Sequence, residues 1–312
     1  MKRTPTSRIA ASIAAGLTGL LLLTACGGGG GGGDPLAAPA APPSEAGVIR
    51  VGSEQFPENQ LLGEIYAQAL EGAGVTVERR FAIGSRETYY PALIDGSIDV
   101  VPDYNGNLLR YVVPEATESS PEEVYAALQK ALPEQLTLLE QAEAENKDAF
   151  TVTRAFAEAN NLTSIEDVVP LCPTITFGGP TQFQERSYGI QGMRDNYGCE
   201  FAGFTPLDTG GPLTVAALAD GSIQGADLFT TDPAIPGNDF VTLVDPRNNF
   251  PAQNIVPLIN ASKVTPEVEE ALNGVSAALS LEQLLALNVT IGEQTQTDAQ
   301  IATAWLTQVG LV

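Results

Sequence analysis

Two periods of hydrophobic spacing alternate along this chain. Residues 48–52, Val-Ile-Arg-Val-Gly, form a short apolar run that ends at glycine and predict a first strand. Leu61, Leu62, Ile65, Tyr66, Ala69 and Leu70 then recur at helical spacing. Pro57 and Glu58 suit the start of that helix, and Gly72-Ala73-Gly74 ends it. Residues 75–81 alternate as a strand does, and residues 84–87 open the next helix. This β-α-β-α-β order predicts a mainly parallel sheet covered on both faces. Ser120-Pro121 caps a helical stretch over 124–139, broken near Pro133. Further strands are predicted at 98–101, 150–153, 174–179, 223–228 and 241–244, with the one at 150–153 crossing to a second lobe. A capped short helix is predicted at 162–168, and another helix at 193–197 ends at Gly198. Residues 250–258 cross back. Residues 266–305 read as a helical tail on the first lobe, with breaks at Gly274 and Gly292.

Within this pattern one unit occurs twice. Ala92-Leu-Ile-Asp-Gly-Ser-Ile98 and Ala217-Leu-Ala-Asp-Gly-Ser-Ile223 each read as a helix end, an Asp-Gly turn and a strand. An aromatic follows at the same offset, Tyr104 in one copy and Phe229 in the other. Both are placed just past a strand end, at the sheet rim where open α/β sheets bind ligands. Two separated copies predict two similar lobes facing one cleft. Coincidence is the alternative, because helix-turn-strand connections of this kind are common.

Composition narrows the class. The 312 residues allow two domains, and a 44% hydrophobic content is ample for their cores. The net charge of −23 excludes the basic surface that nucleic acid or anionic lipid requires, so no nucleic-acid partner is expected. The N-terminus carries Lys2, Arg3 and Arg8 before an apolar run over 9–23 that is too short for a comfortable membrane span. Leu23-Thr-Ala-Cys26 looks like a bacterial lipobox, in which Cys26 becomes the lipidated N-terminus; an ordinary cleaved signal is the alternative. The domain expectation is therefore a lipoprotein signal peptide over 1–25 and a Gly/Pro/Ala tether over 26–47. The mature protein is expected outside the cytoplasm, at the outer face of the cell membrane, held by lipid alone. Export gives Cys172 and Cys199 an oxidising compartment. A disulfide between them would be worth roughly 3 kcal/mol; two buried thiols are the alternative.

Several stretches in fixed order resemble the substrate-binding proteins of ABC importers for glycine betaine and other quaternary amines. They are 51–58 (Val-Gly-Ser-Glu-Gln-Phe-Pro-Glu), 90–99, 102–106 (Pro-Asp-Tyr-Asn-Gly), 182–186 (Gln-Phe-Gln-Glu-Arg) and 229–232 (Phe-Thr-Thr-Asp). The resemblance spans about 48–312. It implies an α/β, two-lobed periplasmic-binding-protein-like fold with a hinge of two crossover segments, lobe 1 being 48–148 plus 255–312 and lobe 2 being 149–254. It implies capture of glycine betaine or a related compatible solute, delivery to an ABC permease with its ATPase, and no cofactor. Family members box a trimethylammonium head in tyrosines, because a quaternary ammonium cannot donate a hydrogen bond. Tyr104 matches one cage position. Phe229 stands at a second, Gln253 at a third and Ala149 loosely at a fourth. Arg186 matches the carboxylate-binding arginine. Glu54 stands near an expected lysine, and Asn107 replaces a threonine. The thinned cage also allows a non-quaternary carboxylated solute such as an amino acid, and a ligand-sensing lipoprotein is a further alternative. Glu54 could instead sit outside the pocket, and Tyr89 and Tyr90 are additional candidates.

Enzymatic chemistry is not expected. The chain has no histidine, which removes the usual general base and the commonest metal ligand, so no metal site is expected either. Asp99/Asp103 and Asp227/Asp232 lie near the presumed cleft, but no spacing asks for a catalytic pair.

Overall fold

The computed structural model describes residues 47–312. The signal, lipobox and tether readings over 1–46 fall outside these residues. The chain begins with β1 (Val48–Gly52), α1 (Pro57–Gly72), β2 (Thr76–Arg80), α2 (Arg86–Asp95), β3 (Val100–Tyr104), α3 (Asn105–Val112), α4 (Pro121–Ala131) and β4 (Leu136–Leu138). It crosses into β5 (Asp148–Thr153), α5 (Arg154–Asn160), α6 (Ile165–Val168), β6 (Thr176–Pro180), α7 (Ile190–Tyr197), β7 (Gly203–Leu207), α8 (Pro212–Ala219), β8 (Gly225–Phe229), α9 (Ala234–Gly237) and β9 (Phe240–Thr242). It returns through β10 (Ile255–Asn260) to α10 (Pro266–Ala278), α11 (Leu281–Glu293) and α12 (Asp298–Val309).

Two five-stranded sheets result, in the orders β2-β1-β3-β10-β4 and β7-β6-β8-β5-β9. The second repeats the first strand for strand. In each, three parallel strands are followed by one antiparallel strand that has crossed from the other lobe, β10 or β5. The crossings run side by side, with Glu145 bridging Asn254 and Asn146 N–H donating to the Gln253 carbonyl at 3.1 Å. Each sheet is thus half antiparallel rather than mainly parallel, because every crossing reverses the chain beside its own last parallel strand.

The repeated sequence unit is the same structure twice. Gly96 closes α2 at φ 77°, and Gly221 follows α8 at φ 80°, conformations that a Cβ would strain. In one copy Asp95 accepts from Ser97 N–H at 2.8 Å and Ile98 N–H donates to the Ala92 carbonyl at 3.2 Å. In the other, Asp220 accepts from Ser222 N–H at 2.8 Å and Ile223 N–H donates to the Ala217 carbonyl at 3.2 Å. The strands begin two residues later than predicted, so Tyr104 and Phe229 are the last residues of β3 and β8 rather than the residues just past them.

Other elements depart from the pattern for local reasons. Residues 136–138 are β4, not helix: past Pro133 the buried Leu136 and Leu138 alternate against β10. β7 was not foreseen; Pro206 weakens its strand signal, which an edge position tolerates. Gly274 lies inside α10 and Gly292 inside α11. The helical tail breaks instead before Ser280 and Thr297, whose hydroxyls cap α11 and α12. Gly274 serves packing, since a Cβ there would stand 3.1 Å from Leu311.

Helices α1, α10 and α12 bury Leu61, Ile65, Leu272, Trp305 and Leu306 on one face of the first sheet, so the tail does pack on lobe 1. Leu93, Leu108, Val124 and Leu128 cover the other face. In lobe 2, Phe150, Phe177, Phe183 and Met193 form the main core and Leu218, Ile223 and Leu228 a smaller one. Cys172 and Cys199 are bonded within that main core, with Cα atoms 5.4 Å apart. Among the described residues no single helix is long and apolar enough to cross a membrane.

Candidate functional site

The carboxyl ends of β1 and β3 face those of β6 and β8 across the gap between the sheets. The loop after β1 is fixed first. Glu54 N–H donates to Asn59 Oδ1 at 2.7 Å, and Asn59 Nδ2 donates to the Pro102 carbonyl at 2.9 Å, which ties the loop to β3. This sets Phe56, the N-cap residue of α1, beside Tyr104 with ring centres 5.9 Å apart. From lobe 2, the Phe229 ring meets Phe56 at 5.3 Å. Three rings from two lobes therefore form one aromatic wall.

Around the wall lies a polar cavity lined also by Glu54, Arg86, Asn107, Asn146, Asp148, Pro180, Arg186, Thr209 and Asp227. Its free space is about 20 Å³, room for roughly one water. The gap widens on both sides, to a chamber of about 550 Å³ between α11 and the 209–215 segment and to a polar recess of about 290 Å³ beside Arg110, Tyr111 and Tyr188.

Charge is held in layers. Arg86 Nη2 donates to Asp103 Oδ1 at 2.6 Å, and Tyr89 O–H donates to Asp103 Oδ2 at 2.8 Å. Glu54 lies 3.9 Å from the same guanidinium. Burial pushes the Glu54 carboxyl up to about 7, with Arg86 and Arg186 pulling against it. Burial also raises Asp148, which Asn107 and Arg186 partly offset. Asp227 is held well above the usual carboxylate range by burial and then by the neighbouring Asp148. Arg186 reaches across the mouth to Glu87 in lobe 1 at 3.2–3.3 Å and lies 5.8 Å over the Tyr188 ring.

A second carboxylate binds the two lobes together behind the wall. Glu58, in the first turn of α1, accepts from Tyr104 O–H at 2.6 Å, Asn146 Nδ2 at 2.8 Å, Thr231 O–H at 2.9 Å and Asn288 Nδ2 at 2.5 Å. Those four donors come from β3, the crossing segment, lobe 2 and α11.

Of the six residues predicted to touch ligand, Tyr104, Phe229, Arg186, Asn107 and Glu54 line the cavity. Gln253 does not. It is fully buried, accepts from Asn107 N–H at 2.9 Å and donates to Asp148 at 3.3 Å, so it positions two lining residues. Ala149 is a buried strand residue, and its neighbour Asp148 is the one exposed to the cavity. Tyr89 lies under Asp103, and Tyr90 packs on Tyr111. Asp99 accepts from Arg50 N–H and Asp232 from Ala234 N–H, and neither lines the central cavity. Sequence reasoning did not assign Phe56, Arg86, Asn146, Asp148 or Thr209, and it placed Asp227 near the cleft without a part in binding. Asp227 had a readable signal: it precedes Phe229 by two on a strand and so shares its face. Asp148 had none, since it meets Phe229 only by register between crossing strands. Among the described residues no cluster could hold a metal ion.

Two topologically identical lobes joined by paired crossings, with an aromatic and charged cavity between them, define a two-lobed solute-binding protein. The family model for the substrate-binding domain of ABC-type glycine betaine transport systems matches residues 47–308, and the chain belongs to that family. It is 27% identical over 289 residues to the glycine betaine-binding protein YehZ of Escherichia coli K12, covering 88% of this chain and 95% of that one. It is 23% identical over 270 residues to an ergothioneine transport permease/binding protein of Helicobacter pylori, covering 84% of this chain but 47% of that longer one. Among solved structures, apo YehZ of Escherichia coli matches with a TM-score of 0.60 at 26% identity, over 86% of this chain and all of that one. A glycine betaine/carnitine/choline ABC transporter structure shares the fold, with a TM-score of 0.67 at 21% identity over 84% of this chain and 99% of that one. The chain is thus a substrate-binding component of an ABC transport system, and its relatives are binding proteins rather than enzymes.

Proposed function

We propose that the protein is an extracytoplasmic lipoprotein that captures glycine betaine or a related compatible solute and delivers it to an ABC permease energised by an ATPase. The observation that carries this reading is the ring wall of Phe56, Tyr104 and Phe229, drawn from both lobes and flanked by Arg186. Aromatic faces attract a methylated ammonium at about 0.5–2 kcal/mol each when desolvated. Arg186 offers a planar fork to a carboxylate at the other end of the solute. Free space for about one water means that the lobes part to admit a solute and close on it. A ligand touching both lobes favours the closed arrangement. Cys26 as lipid attachment, and the Gly-rich tether after it, would hold the binding body near the permease.

The test is calorimetry of the purified full chain against glycine betaine, choline, carnitine, proline and ectoine. Saturable binding of a methylated amine, weakened at least tenfold by Tyr104→Ala, is the expected result. Binding of proline or ectoine alone would overturn the quaternary-amine reading and leave the fold assignment intact.

A further inference from the structure

Three buried polar atoms on the cavity residues have no hydrogen-bond partner among the described residues: Asp227 Oδ1, Asn107 Oδ1 and Arg86 Nε. Their residues are 2%, 7% and 2% exposed. Leaving a buried polar atom unpaired is costly, and a charged one more so. Such an atom in a native structure calls for a partner from outside the chain or a functional reason, and here three of them gather on one cavity.

The unpaired atoms differ in kind. Asp227 and Asn107 each present a free acceptor, while Arg86 presents a free donor. Asn107 donates its backbone N–H to Gln253 and one Nδ2 hydrogen to Asp148, which leaves Oδ1 as its unpaired atom. Arg86 has spent Nη2 on Asp103. The acceptors lie next to the rings by construction. Asp227 is two residues before Phe229 on β8 and so projects from the same face, and Asp148 is directly opposite Phe229. A fully methylated ammonium can lie against a ring but cannot satisfy an acceptor. An ammonium that keeps one hydrogen does both.

Resting on the reading of the site as an amine-solute pocket, we propose that Asp227 is its selectivity residue and that the preferred solute is a protonated, N–H-bearing methylated amine rather than a fully quaternary one. The N–H donates to Asp227 Oδ1, the remaining methyl groups face Phe56 and Phe229, and an acceptor group on the solute takes the Arg86 Nε donor. Burial favours the neutral form of Asp227 in the free chain, so the carboxyl gives up its proton as the solute binds, and the cation placed against it then offsets the burial of its charge. Gly179 keeps this position clear of side chain, since a Cβ there would stand 3.1 Å from the Asp227 Cβ.

The experiment compares molecules that differ by one methyl group in place of one hydrogen. The full chain is titrated calorimetrically at neutral pH with N,N-dimethylglycine and glycine betaine, and with N,N-dimethylethanolamine and choline. In the native chain the N–H member of at least one pair is expected to bind about tenfold more tightly, as a charge-assisted hydrogen bond supplies. Asp227→Asn should collapse that ratio to within about threefold, because the carboxylate acceptor is gone. Circular dichroism reports whether the variant is folded, and the native ratio tests the idea without any variant. Equal or tighter binding of the quaternary members overturns this inference and leaves the proposed function standing. A native preference that survives Asp227→Asn in a folded variant removes Asp227 from the role. No binding by any of the four overturns this inference, and the proposed function falls with it if carnitine is not bound either.

Discussion

At the scale of single residues, the cavity is a site of deliberate electrostatic tension. Glu54 is buried beside Arg86 and still sits near 7. Its folded-state value is above the unfolded one of about 4.5, so its neutral form is favoured by folding. The stability it contributes is complete below about pH 4.5 and is lost as pH rises through about 7. Asp148 and Asp227 are shifted in the same direction and act with the same sign. The free chain should therefore melt at a lower temperature at pH 8 than at pH 5. Glu54→Gln, which stays neutral, should flatten the part of that decline between about pH 5 and 7. Thermal unfolding across pH measures both slopes, and an unchanged slope in the variant would discharge Glu54 from the role. Much at this scale was legible in the chain. Tyr104 and Phe229 were marked by a repeated unit, and Arg186 by its motif. Asp227 was within reach of a period-2 argument. The work of Gln253 was not, because its partners Asn107 and Asp148 are 146 and 105 residues away.

At the scale of elements, α1 does most to shape the site. Its first turn carries Phe56 as N-cap and Glu58 one residue after Pro57. A carboxylate suits the positive end of a helix, and here it also accepts four hydrogen bonds from four separate segments. Glu58→Ala leaves four buried side chains, Tyr104, Asn146, Thr231 and Asn288, short of a partner. At about 1–3 kcal/mol for each unsatisfied group, partly relieved by relaxation, the expected loss is about 3 kcal/mol. Chemical denaturation should show it as a lower midpoint. Small-angle scattering should show a larger radius as well, since Thr231 belongs to the opposite lobe. Loss of stability with no expansion would make Glu58 a packing residue of lobe 1 alone. Helical and strand elements were largely readable from period. Among the strands the failures, β4 and β7, are a three-residue strand and a proline-bearing edge strand, where the periodic signal is weakest; the short helices α3 and α5, which follow directly on β3 and β5, were not foreseen either.

At the scale of the molecule, the two lobes are one topology used twice, and each is stabilised in its own way. Lobe 1 borrows the C-terminal helices α10, α11 and α12, which pack on α1. Lobe 2 has the Cys172–Cys199 bond, which spans 27 residues and joins the end of α7 to the turn before β6. A loop of that length is worth about 3 kcal/mol in the chain-entropy picture. Reduction should therefore lower the melting temperature by several degrees while ligand affinity changes little, because neither cysteine lines the cavity. Calorimetric melting with and without reductant checks this, and an unchanged melting temperature would show the bond to be dispensable.

What the sequence determined by itself was local and repetitive: the helix periods, the two Asp-Gly turns, the aromatics that end two strands, and the order of motifs that marks the family. These follow from spacing and backbone preference within ten residues or so, which one chain displays openly. The tertiary structure alone decided the pairing of the crossings, the antiparallel half of each sheet, the gathering of Glu54, Asp148 and Asp227 around three rings, and the bond from Glu58 to Thr231 across the gap. Those contacts join residues far apart in the chain. They depend on strand register and lobe closure, and no local pattern carries that information.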